Sequence, residues 1–99
     1  PLYEEKCTKI LQSFLRELNL HIPVIVGGLG EFLADCPLDK ELANYVHVNA
    51  ALVSMANNNQ NFGYASSCGL SSNEDFLHFN AASLREFGLR YYEIYKTLI

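Results

Sequence analysis

The run Ile22-Pro-Val-Ile-Val26 constrains the fold most. It is apolar throughout and largely β-branched, which is how a strand covered on both faces of a parallel sheet reads. Gly27-Gly28-Leu29-Gly30 then breaks it. Upstream, from about Tyr3 to Leu20, Cys7, Ile10, Leu11, Phe14, Leu15 and Leu18 recur at helical spacing. Asn19 to His21 ends that helix, and Pro23 cannot continue it. Helix, buried strand and glycine loop are the rhythm of an open α/β sheet, whose ligands sit at the carboxyl ends of the strands.

The remaining sequence repeats the pattern. Glu31 to Leu38 reads as a loop, and Asp39 is placed to cap a second helix running to about Asn57. The apolar face of that helix includes Leu42, Tyr45, Val46, Asn49, Leu52, Val53 and Ala56. The polar run Asn57 to Asn61 reads as a solvated turn, and Phe62 to Ala65 as a second short strand. Ser66 to Phe79 forms a long polar loop. Asn80 then caps a last helix to about Leu98, with Leu84, Phe87, Gly88, Tyr91, Tyr95 and Leu98 on one face. Tyr91, Tyr92 and Tyr95 read as packing residues. The order is α-β-α-β-α. Two strands do not make a stable parallel sheet, so the expected fold is part of a larger α/β sheet, completed either by missing N-terminal strands or by a partner chain.

Composition narrows the partners. The 99 residues are 49% hydrophobic and 18% charged, which suits one small folded domain rather than a disordered chain. The net charge of −4, with the seven basic residues scattered, argues against nucleic acid or an anionic membrane as partner. Cys7, Cys36 and Cys68 form no zinc or C-x-x-C spacing and read as buried or half-buried free thiols, favouring a reducing compartment. Cys68 is the one candidate for a reactive thiol. His21 at a helix end and His47 on a helix read as structural. No second His or Cys stands at metal-ligand spacing, so no metal site is expected. The glycine loop lacks G-x-G-x-x-G and a P-loop Lys, which argues against nucleotide binding. Pro1 at the start, without an initiator Met or signal peptide, reads as an internal starting point.

The chemistry concentrates at Asp75-Phe76-Leu77-His78. Acyl transfer by a serine enzyme needs an imidazole to take the hydroxyl proton and a carboxylate to hold the imidazole's tautomer. Three residues span at most about 10 Å extended, so a modest bend brings the carboxylate onto the ring. The pair precedes a helix in the loop after a strand, where α/β enzymes keep their sites.

Gly69-Leu70, Asp75-Phe-Leu-His78-Phe79-Asn80-Ala81-Ala82-Ser83 and Arg85-Glu86-Phe-Gly88-Leu-Arg90-Tyr91 resemble the C-terminal block of the sialate O-acetylesterase and acetyl xylan esterase family. These are SGNH-type carbohydrate esterases. Pro23 to Gly27, Leu29 to Phe32 and Val48 to Leu52 resemble the strand, loop and helix before that block, so the likeness spans about residues 22 to 95. It implies a three-layer α/β/α flavodoxin-like fold, with residues 1–99 as the C-terminal part of a single SGNH-hydrolase-like domain. It implies an acetylated carbohydrate as substrate and neither metal nor organic cofactor. His78 would be the general base and then the acid for the leaving sugar oxygen, and Asp75 would orient it. The family's Gly-x-Ser nucleophile and oxyanion-hole blocks lie upstream of this block. Ser66, Ser67, Ser71, Ser72 and Ser83 match none of them. The chain alone is therefore expected to be inactive. The alternative is a non-catalytic flavodoxin-like module that completes its sheet with a partner chain or by self-association.

Overall fold

A computed structural model describes residues 2–37 and 40–99. Helix α1 spans Leu2–Glu17, strand β1 Val24–Gly27, helix α2 Tyr45–Asn58, strand β2 Phe62–Ala65 and helix α3 Ala81–Leu98. Two 3₁₀ turns, Glu31–Asp35 and Lys40–Asn44, lie between β1 and α2. β1 and β2 pair in parallel, in the register Val24 with Phe62 through Gly27 with Ala65. The α-β-α-β-α order and the mixed α/β class agree with the sequence.

The alternation along each strand sorts side chains between the two sides of this sheet. Val24, Val26, Phe62 and Tyr64 pack with Leu52, Met55, Cys7, Leu11 and Leu15, beneath α2 and α1. Ile25 and Ala65 pack with Leu70, Phe79, Phe87, Tyr91 and Ile94, beneath α3. Helices thus cover both sides. β1 is nevertheless half-buried along its length, because among the described residues each strand has a strand neighbour on one side only.

The helix ends follow local chemistry. Asn19 adopts a left-handed backbone, φ 52°. It lets Leu20 N donate to Leu15 O at 2.9 Å and Asn19 N to Arg16 O at 3.1 Å, a Schellman ending. His21 lies beyond it, exposed, and not in the helix. Asn59 closes α2, its side-chain amide donating to Met55 O at 2.8 Å. The expected Asp39 cap lies outside the described residues, and the α-helical part of that segment begins only at Tyr45, after a tighter 3₁₀ turn.

Three expected faces are corrected. On α2 the covered side chains are Val48, Leu52, Met55 and Ala56, while Val46 and Val53 are exposed. On α3 they are Phe87, Tyr91 and Ile94; Leu84, Tyr92 and Tyr95 are exposed, and Lys96 lies over the Tyr92 ring at 5.1 Å. On α1 Cys7, Leu11 and Leu15 face the core, while Ile10 and Phe14 are 68% and 58% exposed. Helical spacing identifies apolar stripes without identifying which stripe has a neighbour.

Glycines set the distance of α3 from the sheet. A Cβ at Gly63 would strike Ile94, and one at Gly27 would strike the rings of Tyr91 and Phe87. Nothing lies within 4 Å of a Cβ built at Gly88. Gly63→Val should therefore cost about 1–3 kcal/mol by overpacking. Gly88→Ala should add about 0.4–1 kcal/mol through helix propensity and the unfolded state. Urea unfolding of the two variants checks both signs.

Candidate active site

Because the strands are parallel, the segments that follow them, 28–37 and 66–80, leave the sheet at the same edge. They are tied together at Leu29. Its N–H donates to Asn49 Oδ1 at 2.7 Å, and its carbonyl accepts from Asn49 Nδ2 at 3.0 Å and Ser67 Oγ at 2.6 Å. Arg90 holds the second segment from α3, donating to Ser66 O at 2.9 Å and Cys68 O at 2.8 Å while its Nε meets Glu86 at 3.1 Å.

Residues 66–80 are not an open loop. Ser72 and Phe79 form an antiparallel bridge, Asn80 N donates to Ser71 O at 3.1 Å, and Asn73 N donates to His78 O at 2.8 Å. Asn80 Oδ1 accepts from Ser83 N at 2.8 Å, so the expected cap of α3 is present and anchors the hairpin's returning arm. Asp75 and His78 sit at the tip.

The first 3₁₀ turn, expected as a loop, braces this hairpin at both ends. Glu31 Oε1 accepts from Gly69 N at 2.9 Å. Phe32 meets Phe79 edge-on, centroids 5.1 Å apart, and buried Cys36 directs its thiol to Asp75 O at 3.7 Å. Leu33, also buried, anchors the turn.

Asp75 folds back on its own loop. Oδ1 accepts from Leu77 N at 2.9 Å and His78 N at 3.1 Å, and Oδ2 meets His78 Nδ1 at 2.7 Å. This bend places Phe76 in the left-handed region, φ 53°. That costs a non-glycine residue roughly 1–2 kcal/mol, which three hydrogen bonds to one carboxylate offset. The His78 side chain is 69% exposed. The hydrogen bond from His78, with the backbone N–H bonds of Leu77 and His78, lowers the Asp75 pKa from 3.8 to about 2. An ionised carboxylate only accepts, so in the neutral imidazole Nδ1 carries the proton. Nε2 is left as a proton acceptor, and among the described residues it has no partner.

Beside the first arm of the hairpin lies a pocket of about 240 Å³, lined by Glu31, Tyr45, Asn49, Tyr64, Ser66 and Cys68 among others. Burial, then the nearby Glu31 carboxylate and Tyr91, push the Tyr64 phenol up. A larger cavity of about 630 Å³ lies between α1 and α2, lined by Tyr3, His47 and Val48, and contains neither Asp75 nor His78.

The expected pair is therefore together. The serines do other work: Ser67 holds Leu29, Ser83 Oγ accepts from Ser71 N, and Ser66 Oγ accepts from Cys68 N. Cys7 is half-buried and Cys36 buried, but Cys68 is exposed, which corrects the expectation for that thiol. Among the described residues, no group of three or more His, Cys, Asp or Glu is placed to hold a metal ion, and no helix is long and apolar enough to cross a membrane. The bracing residues Asn49, Glu31 and Arg90 were not legible as a set. Asn49 left one signal, a single amide on an otherwise apolar helix face.

The Asp75 titration checks this geometry. Because the folded pKa lies below 3.8, the carboxylate stabilises the fold fully above about pH 3.8, and that stabilisation is lost as pH falls through about 2. The Asp75 carboxyl-carbon NMR shift should titrate near pH 2; a midpoint at 3.8 or above would contradict the hydrogen-bonded loop.

A comparison with curated proteins finds no match. A family model described as carbohydrate esterase, sialic acid-specific acetylesterase matches residues 1–97. That span takes in both strands, all but the last residue of α3 and the whole Asp75–His78 hairpin, so the chain belongs to the sialic acid-specific acetylesterase family of carbohydrate esterases.

Proposed function

We propose that this chain supplies the acid and base half of a serine acetylesterase site, removing O-acetyl groups from a carbohydrate. The observation that carries the reading is the 2.7 Å contact between His78 Nδ1 and Asp75 Oδ2, with Nε2 left without a partner among the described residues. His78 Nε2 takes the proton of a serine hydroxyl as its oxygen bonds to the acetyl carbon. The same proton then passes to the sugar oxygen as the ester C–O bond breaks. Water, activated in the same way, releases acetate from the acetyl-serine. Asp75 holds the tautomer and balances the transient imidazolium.

In this reading the nucleophile and the oxyanion donors come from a part of the domain that precedes these residues, and residues 1–99 are the C-terminal part of one SGNH-hydrolase-like domain. The strand edges that are unpaired among the described residues, and the exposed Ile10 and Phe14, are then where the rest of the domain packs. The same surfaces favour a second reading, a non-catalytic module that completes its sheet with a partner chain.

Replacing His78 by Ala in the intact protein should reduce turnover of an acetyl ester at least about 100-fold, the usual minimum for a general base. Circular dichroism should stay unchanged, since His78 is exposed. Full activity in that variant would remove the catalytic assignment and leave the module. The 99 residues assayed alone should hydrolyse the ester no faster than free histidine. A fast rate that a serine-directed phosphonate abolishes would show a nucleophile within the chain.

A further inference from the structure

The geometry within the Asp75–His78 pair is local. The hydrogen bonds of the Asp75 carboxylate go to Leu77 and His78 of the same loop. They set the bend and the tautomer of the ring wherever the loop stands. They do not set where the tip of the loop stands against the sheet. An imidazole that must meet a serine carried on another segment depends on that position as much as on its tautomer.

The 3₁₀ turn Glu31–Asp35 supplies the position, because its side chains reach the hairpin on both sides of the pair. The Phe32 ring meets Phe79, the residue after His78, edge-on with centroids 5.1 Å apart. Phe79 in turn lies 5.0 Å from Phe87 of α3. Cys36, buried at the end of the turn, directs its thiol to the Asp75 carbonyl at 3.7 Å. The turn is itself pinned. Leu33 is buried, Leu33 N donates to Gly30 O and Cys36 N donates to Leu33 O, both at 3.2 Å.

Gly30 shows how closely Phe32 is seated. Its backbone, φ −70° and ψ 140°, is extended and suits any L residue. A Cβ built there nevertheless strikes the Phe32 ring. The glycine therefore answers the ring and not the backbone. Phe32 lies between the Gly30 main chain and Phe79, with no slack on the Gly30 side. A thiol contact is weak, so the ring carries more of the brace than Cys36 does.

We propose that Phe32 is a positioning residue of the esterase site: seated on Gly30, it fixes the place of the Asp75–His78 tip through Phe79, while Cys36 secures the tip from below. The proposal rests on the esterase reading for the reaction. Phe32 touches Phe79 and not the reacting atoms, so it acts through the placement of His78 alone.

In the intact protein, Phe32→Ala should lower kcat for an acetyl ester about 10–100-fold and leave KM within about twofold, since a displacement of about 1 Å slows the chemical step by up to about 100-fold. The neutral His78 ring should keep its proton on Nδ1 by nitrogen NMR, because Asp75 sets the tautomer. Alkylation of Cys36 by N-ethylmaleimide, followed by peptide mass spectrometry, should quicken about tenfold or more as the tip opens from the turn. Gly30→Ala keeps the ring but displaces it, and should lower kcat in the same way. The double variant should be no slower than Phe32→Ala, since both changes act through one ring. If Phe32→Ala fails to fold by circular dichroism, Gly30→Ala decides. Unchanged kcat in the folded variants, a rise in KM alone, or loss of the Nδ1 tautomer would overturn the positioning role. Turnover that is lost in His78→Ala but intact in Phe32→Ala would overturn that role and leave the esterase reading. No turnover by the unmutated protein would remove the esterase reading and the proposal with it.

Discussion

The parallel pairing of β1 with β2 is the constraint on which the rest depends. Parallel strands need a crossover, and α2 supplies it. The crossover puts both carboxyl ends at one edge, so the chain after Gly27 and the chain after Ala65 emerge side by side. Leu29 is then close enough to donate one hydrogen bond to Asn49 on the helix behind it and to accept two, from Asn49 and from Ser67 of the neighbouring segment. The glycines at 27 and 63 allow α3 to lie against the same pair of strands, and α3 in turn begins at the hairpin that carries His78.

The dyad is exposed yet held. The imidazole is mostly exposed, so its placement comes from below: the Asn80 cap, the Ser72–Phe79 bridge, Phe32 against Phe79 and Cys36 against the Asp75 carbonyl. Phe76 takes a backbone conformation that an unsupported loop would avoid. A carboxylate that accepts two backbone N–H groups and one ring N–H keeps the bend closed. One residue thus shapes the loop and selects the tautomer of the imidazole.

Much of this was legible in the residues. The strand before the glycine loop, the Asn80 cap and the three-residue spacing of Asp75 and His78 rest on local rules of β-propensity, capping and reach, and each is present, although the strand is half-buried rather than buried. What was not legible depended on neighbours distant in sequence. Leu84, Phe14 and Ile10 have the spacing of core residues but stay exposed. Asn49 sits where an apolar residue would serve for packing, because it answers Leu29, twenty residues away. The Glu31–Asp35 turn has no capping side chain to announce it; buried Leu33 and the Phe32–Phe79 contact hold it.

Membership in a carbohydrate esterase family gives the loop its chemical setting, and the loop's own hydrogen bonds define the state of His78: an imidazole with one nitrogen committed to Asp75 and the other without a partner among the described residues. The tautomer of the neutral His78 ring, read by nitrogen NMR in the intact protein, tests this most directly. The account predicts a protonated Nδ1 and a bare Nε2, a state lost when Asp75 is replaced by Ala. A ring protonated at Nε2 with bare Nδ1 would contradict it.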